Sequence, residues 1–194
     1  MLRNVFLALI ALVIAVGGGT LSAWYAVNRF DGFGALSIGQ WTGHPDAGTS
    51  LSDPYAKARA AREGAFPLGS AEGLAFYAYS DDQGKTLDRR CTYKIEGNSP
   101  NSRFWTLYAA DRALTALEPG ADRLPAIHSR QVFRQEDGRF IVNVSPKAQP
   151  GNWLATAGSG RMVLVMTLYD TPVGSNSGLV DMKFPAIRRT SCDG

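Results

Sequence analysis

Between Arg3 and Arg29 the chain carries no charge, and residues 5–27 are mostly Leu, Ile, Val, Ala and aromatics. Such a run has no polar face to turn to water, so a buried core helix is a poor match. As a helix rising about 1.5 Å per residue it spans roughly 35 Å, against a hydrocarbon core of about 30 Å. Trp24 and Tyr25 fall near its end, where amphipathic rings favour the membrane interface. The run therefore reads as one transmembrane anchor over residues 1–27, meeting the membrane through residues 5–27. A cleaved signal peptide is the second reading, with residues 5–16 as its apolar region and the break at Gly17, Gly18 and Gly19. Both readings export residues 28–194.

The exported part fits one domain with a sizeable core. Arg3 is the only charged residue before Asn28, and the whole chain carries a net charge of +3. Charges are thus nearly balanced. The pairs Arg89-Arg90 and Arg188-Arg189 form no basic stripe, so no nucleic-acid partner is expected. The two cysteines, Cys91 and Cys192, have no CxxC spacing or Cys/His cluster, and no metal site is expected. In an oxidising compartment they read as one disulfide. The alternative is two separate thiols.

Residues 28–51, rich in Gly, Ser and Thr, read as a linker arm, and residues 52–194 as the domain. A short helix is predicted over 55–63, with Asp53 as cap, Pro54 in the first turn and Gly64 at the position after the end. From Leu74 the period becomes two. Strands are predicted over 74–80, 89–96, 103–109, 131–135, 139–145 and 161–169. Cys91, Tyr93 and Ile95 alternate inward, Asp137-Gly138 makes a hairpin turn, and 161–169 is apolar on both faces, hence central. The expected fold is mainly β: an antiparallel β-sandwich or jelly-roll-like domain with one short helix, behind a single N-terminal transmembrane helix.

Phe104-Trp105-Thr106-Leu107-Tyr108, Asp137-Gly138, Asn152-Trp153-Leu154 and Leu168-Tyr169 followed by Pro172 carry a likeness. On these the chain resembles a bacterial family known as "domain of unknown function 1214". Asp53-Pro54-Tyr55, Pro67-Leu68-Gly69 and Cys91-Thr92-Tyr93 resemble a small membrane-anchored subgroup of it. The family's usual Pro after Asn-Trp-Leu is Ala155 here, and its Arg before Leu-Tyr is Thr167. The resemblance implies a β-sandwich-like domain and no reaction. With a short basic N-terminus held inside, the expected location is the bacterial inner membrane, single-pass, with the C-terminal domain in the periplasm.

Only two histidines exist, His44 and His128, which leaves no histidine triad for a metal. His44 reads as an exposed loop residue. The segment 111–129 is the longest connection between strong strands, and its His128, with Asp111, Glu118 or Asp122, is the candidate for a cleft base. The simpler reading is a packed histidine beside a solvated loop. Trp105, Tyr108 and Trp153 are either core side chains or a ligand-stacking platform, and Asn152 can hold its own turn. HExxH, Walker A, GxSxG and strand-linked GxGxxG motifs are missing from the sequence, and no cofactor is expected. The leading expectation is a non-enzymatic envelope module binding a partner protein or glycan. A structural subunit of a membrane complex comes next, then an enzyme acting on an envelope polymer or small molecule.

Overall fold

The computed structural model describes residues 2–28, 35–63, 67–69, 72–172 and 182–192. Helix α1 (Leu2–Asn28) is long and apolar enough to cross a membrane, and none of its apolar span is buried by the rest of the chain. Helix α2 (Pro54–Glu63) starts where sequence predicts. Asp53 Oδ1 accepts from Tyr55 N at 2.8 Å and Oδ2 from Ala56 N at 3.2 Å, satisfying amides that the first turn leaves open. Gly64 lies outside the described residues.

The strands run in chain order as β1 (Leu36–Ile38), β2 (Trp41–Gly43), β3 (Gly73–Ala78), β4 (Cys91–Gly97), β5 (Phe104–Ala110), β6 (Ala126–His128), β7 (Phe140–Ser145), β8 (Asn152–Ala155), β9 (Val163–Tyr169) and β10 (Ala186–Cys192). They form a six-stranded sheet, β1-β2-β3-β9-β5-β6, and a four-stranded sheet, β10-β4-β7-β8. Inward residues of both sheets make one core: Phe76, Trp105, Leu107 and Met166 from the first, Tyr93, Ile95, Val142 and Leu154 from the second. The arrangement is sandwich-like. As its apolar pattern predicts, β9 is central and lies between β3 and β5.

Cys91 and Cys192 stand opposite each other on β4 and β10 and are joined in a disulfide. It closes a sequence separation of 101 residues. Four further contacts hold β10 or the residue just before it. Asp82 N donates to Ile187 O at 2.9 Å, and Asp82 Oδ1 accepts from Ile187 N at 3.0 Å. The Trp41 indole N–H donates to Pro185 O at 2.8 Å. Asp81, buried at 1% exposure, pairs with Arg189 at 2.9 Å.

Four expectations need correction. Where it is described, the segment 28–51 is not simply an arm: β1 and β2 extend the six-stranded sheet, and Trp41 is buried in the core. Gly39, at φ +60°, begins the tight turn that lets Ile38 pair with Trp41. The second sheet is mixed, because β7 and β8 are parallel. The chain doubles back over residues 146–151, and the Asn143 side-chain amide holds that return by donating to Pro150 O at 3.0 Å. The predicted strand over 131–135 is replaced by a single bridge, Arg134 to Phe140. The connection 111–129 is not wholly a loop, since β6 forms within it and pairs with β5.

Candidate functional site

At one end of the molecule the edge strand β6 of the first sheet meets the edge strand β8 of the second. An open cleft of ≈ 220 Å³ lies there, lined by Trp153, Phe133, Leu124, Gln131, Gln149 and Asn152 among others. Its shape depends on Asn152, which is 8% exposed. The Asn152 Oδ1 accepts from Phe133 N at 2.7 Å, while Nδ2 donates to Phe133 O at 2.9 Å and to Ile141 O at 2.8 Å. Asn152 therefore ties β7 to the Phe133 segment instead of capping its own turn.

Phe133, fixed in this way, is 77% exposed, and Leu124 beside it is 50% exposed. Trp153 alternates to the other side of β8 from Leu154 and is half-buried. Its indole N–H donates to Ser145 O at 3.0 Å, and the Arg123 guanidinium lies 5.9 Å from its ring centroid. Arg123 also donates to Pro146 O at 3.4 Å. Gln149 is half-buried and Gln131 exposed. Neither side-chain amide makes a hydrogen bond among the described residues.

The sequence candidates are distributed over separate places. Trp105 is 1% exposed, packs on Phe140 with ring centroids 5.0 Å apart, and donates to Ser99 Oγ at 3.0 Å. Tyr108 is an odd number of residues along the same strand and points to the opposite face. There it packs against the small cluster of Ala110, Val163 and Val165. Burial, and then the nearby Tyr169, push its phenol above the usual tyrosine range. Trp105, Tyr108 and Trp153 thus share no platform.

His128 pairs in register with Thr106 and packs against Phe104, ring centroids 5.5 Å apart. Its Nδ1 is buried without a hydrogen-bond partner. Asp111 follows the last residue of β5, five positions beyond Thr106, which is about 16 Å along a strand. Its carboxylate accepts from Ala113 N and Thr115 N and so holds its own turn. Glu118 and Asp122 are exposed. No hydrogen bond or ion pair joins His128 to any of the three among the described residues. Among those residues there is also no group of three or more His, Cys, Asp or Glu placed to hold a metal.

Sequence reasoning picked out Trp153 but missed Phe133, Gln131, Gln149 and Leu124. They come from three separate stretches that meet only after β6 and β8 are placed. The one local signal was Asn152 beside Trp153, since a buried Asn needs partners for both ends of its amide.

Two sheets on one core, with a cleft between their edge strands, define a β-sandwich-like domain behind a helix long and apolar enough to cross a membrane. The chain belongs to the family described as "Protein of unknown function (DUF1214)", whose model matches residues 72–173, more than half of its 194 residues. Its fold is similar to that of the VPA0106 protein from Vibrio parahaemolyticus, at 19% identity and a TM-score of 0.56, over 73% of this chain and 36% of that one. An uncharacterized protein from Burkholderia cenocepacia aligns at 17% identity and a TM-score of 0.45, over 94% of this chain and 43% of that one. The chain spans less than half the length of either. No curated protein matches it.

Proposed function

We propose that this protein is a non-enzymatic binding module of the cell envelope. Its α1 helix anchors it in the bacterial inner membrane, its domain lies in the periplasm, and the cleft between β6 and β8 holds its ligand. The observation that carries the reading is Phe133: a large ring, 77% exposed, whose backbone is fixed on both sides by Asn152. Leu124 and Trp153 line the same cleft, so a ligand seated there meets all three apolar side chains together. Fixing Phe133 in advance reduces the ordering cost that binding incurs. The Cys91–Cys192 disulfide suits an oxidising compartment, and α1 supplies a membrane span.

The test places a photo-crosslinking residue that inserts into C–H bonds at Leu124 of the full-length protein in intact cells, wild type at Phe133 or carrying Phe133→Ala. Both side chains are exposed, so the variant folds with little change in stability. The proposal expects a covalent adduct with Phe133 in place and its loss in Phe133→Ala. An adduct of equal yield in both, or in neither, overturns the cleft as the binding surface.

A further inference from the structure

We propose that the cleft takes one neutral sugar unit of an envelope glycan. This rests on the reading of the cleft as the binding surface and specifies its ligand.

Size is the first constraint. At ≈ 220 Å³ the cleft is smaller than the roughly 300–1,000 Å³ typical of sites for drug-sized ligands. Only one ring-sized group enters. The second constraint is polarity. Trp153 and Phe133 offer ring surface, which suits the C–H faces of a pyranose. The Gln131 and Gln149 amides each offer a carbonyl acceptor and two N–H donors, unengaged among the described residues. A hydroxyl both donates and accepts, so neighbouring ring hydroxyls match the adjacent O and N of an amide. An aliphatic or aromatic side chain seated here would leave those amides unpaired, at about 1–3 kcal/mol for each group it buries.

Charge is the third constraint. None of the residues lining the cleft is ionised. An ammonium ligand would lose its water with no opposite charge to replace it, and a carboxylate would find only Arg123, already lying over the Trp153 ring and bonded to Pro146 O. A neutral polyhydroxylated ring meets all three constraints. The exposed Leu124 and Phe133 at the rim leave room for a glycan chain to continue on either side.

The test uses the full-length chain in lipid nanodiscs, free of sugar-based detergent, with saturation-transfer NMR observed on the ligand. The probes are cellobiose, chitobiose and maltose as neutral sugars, trigalacturonic acid as an anionic one, and a blocked Ala-Trp-Ala peptide. The expected result is transfer to ring protons of at least one neutral disaccharide, weakened at least about ten-fold by both Phe133→Ala and Gln149→Ala. Thermal unfolding of each variant verifies the fold. Transfer to no neutral disaccharide, or transfer indifferent to both substitutions, overturns the inference. Binding of the peptide or trigalacturonate that is lost in Phe133→Ala overturns the sugar assignment and leaves the cleft as the binding surface. Silence from every probe, together with no cleft-dependent adduct in cells, removes both.

Discussion

The Asn152 side chain grips the backbone of Phe133 from both sides, accepting from its N–H at 2.7 Å and donating to its carbonyl at 2.9 Å. One amide thus replaces two strand-ladder bonds and holds an exposed ring at the mouth of the cleft. Asn152→Ala leaves Phe133 N, Phe133 O and Ile141 O without these partners. Water reaches part of this edge, so the expected cost is about 2–3 kcal/mol. Amide exchange measured at Phe133 is expected to accelerate far more than at Val142 in the neighbouring strand. Unchanged protection at Phe133 would show that other contacts hold the segment.

Adjacent arginines on β10 separate buried from surface electrostatics. Arg189 pairs with the buried Asp81, donates to Thr86 O at 2.6 Å and lies 5.4 Å from the Tyr93 ring centroid. Arg188 is 67% exposed and pairs with Glu96 at 3.6 Å. Arg189→Ala strands a buried carboxylate and is expected to cost about 3 kcal/mol. Arg188→Ala is expected to cost under about 1 kcal/mol. Urea unfolding of both variants measures the contrast; similar midpoints would contradict it.

Stability is expected to fall at both ends of the pH range. The Asp88 carboxyl is held below its ordinary value, first by the Arg90 backbone N–H and also by the Arg90 side chain. Its contribution is present above the unfolded value and is lost as pH drops through the lower folded one. Tyr93 and Tyr108 are raised by burial, so the folded state keeps their protons where the unfolded chain releases them. Stability therefore declines as pH rises above about 10. Tyr108→Phe, whose lost hydroxyl makes no hydrogen bond among the described residues, is expected to flatten that alkaline decline. Urea midpoints for wild type and Tyr108→Phe between pH 8 and 11 measure this, and parallel curves would contradict it.

Much of the sandwich was legible because burial imprints itself on alternation. Cys91, Tyr93 and Ile95 are all buried on β4 with Lys94 exposed between them, and β9 is apolar on both faces because the main core covers one and Tyr77, Tyr108 and Leu114 pack over the other. The edges were not legible. β1 and β2 are too short for a period to emerge, with only Gly39 and the two flanking apolar residues as a turn signal. Residues 131–135 carry strand-like composition, yet the Asn152 side chain takes the Phe133 groups that a ladder would use. For the same reason the cleft was half hidden. Trp153 could be singled out from its neighbours in sequence, but Gln149 and Phe133 acquire meaning only once β8 runs parallel to β7.

The disulfide places a requirement on the compartment. Cys91 and Cys192 are expected to be closed in cells, so acid quenching followed by alkylation in denaturant without reductant should trap no free thiol. By loop closure alone, the bond stabilises the fold by about 4–5 kcal/mol, and reduction is expected to lower the thermal midpoint. Hydrogen bonds from Asp82 and Trp41 keep Ile187 and Pro185 in place, so exchange should rise first at Ser191 and Cys192. Two alkylated thiols in cells would contradict export to an oxidising compartment.

A photo-crosslinking residue substituted at Phe133 of the full-length protein in living cells tests the binding surface most directly. Lys85, exposed in the β3–β4 connection next to the opposite sheet edge, is the control position. Irradiation is expected to give a shifted species from position 133 and none from position 85. No adduct from 133, or equal adducts from both positions, would contradict a cleft that binds a ligand in the envelope.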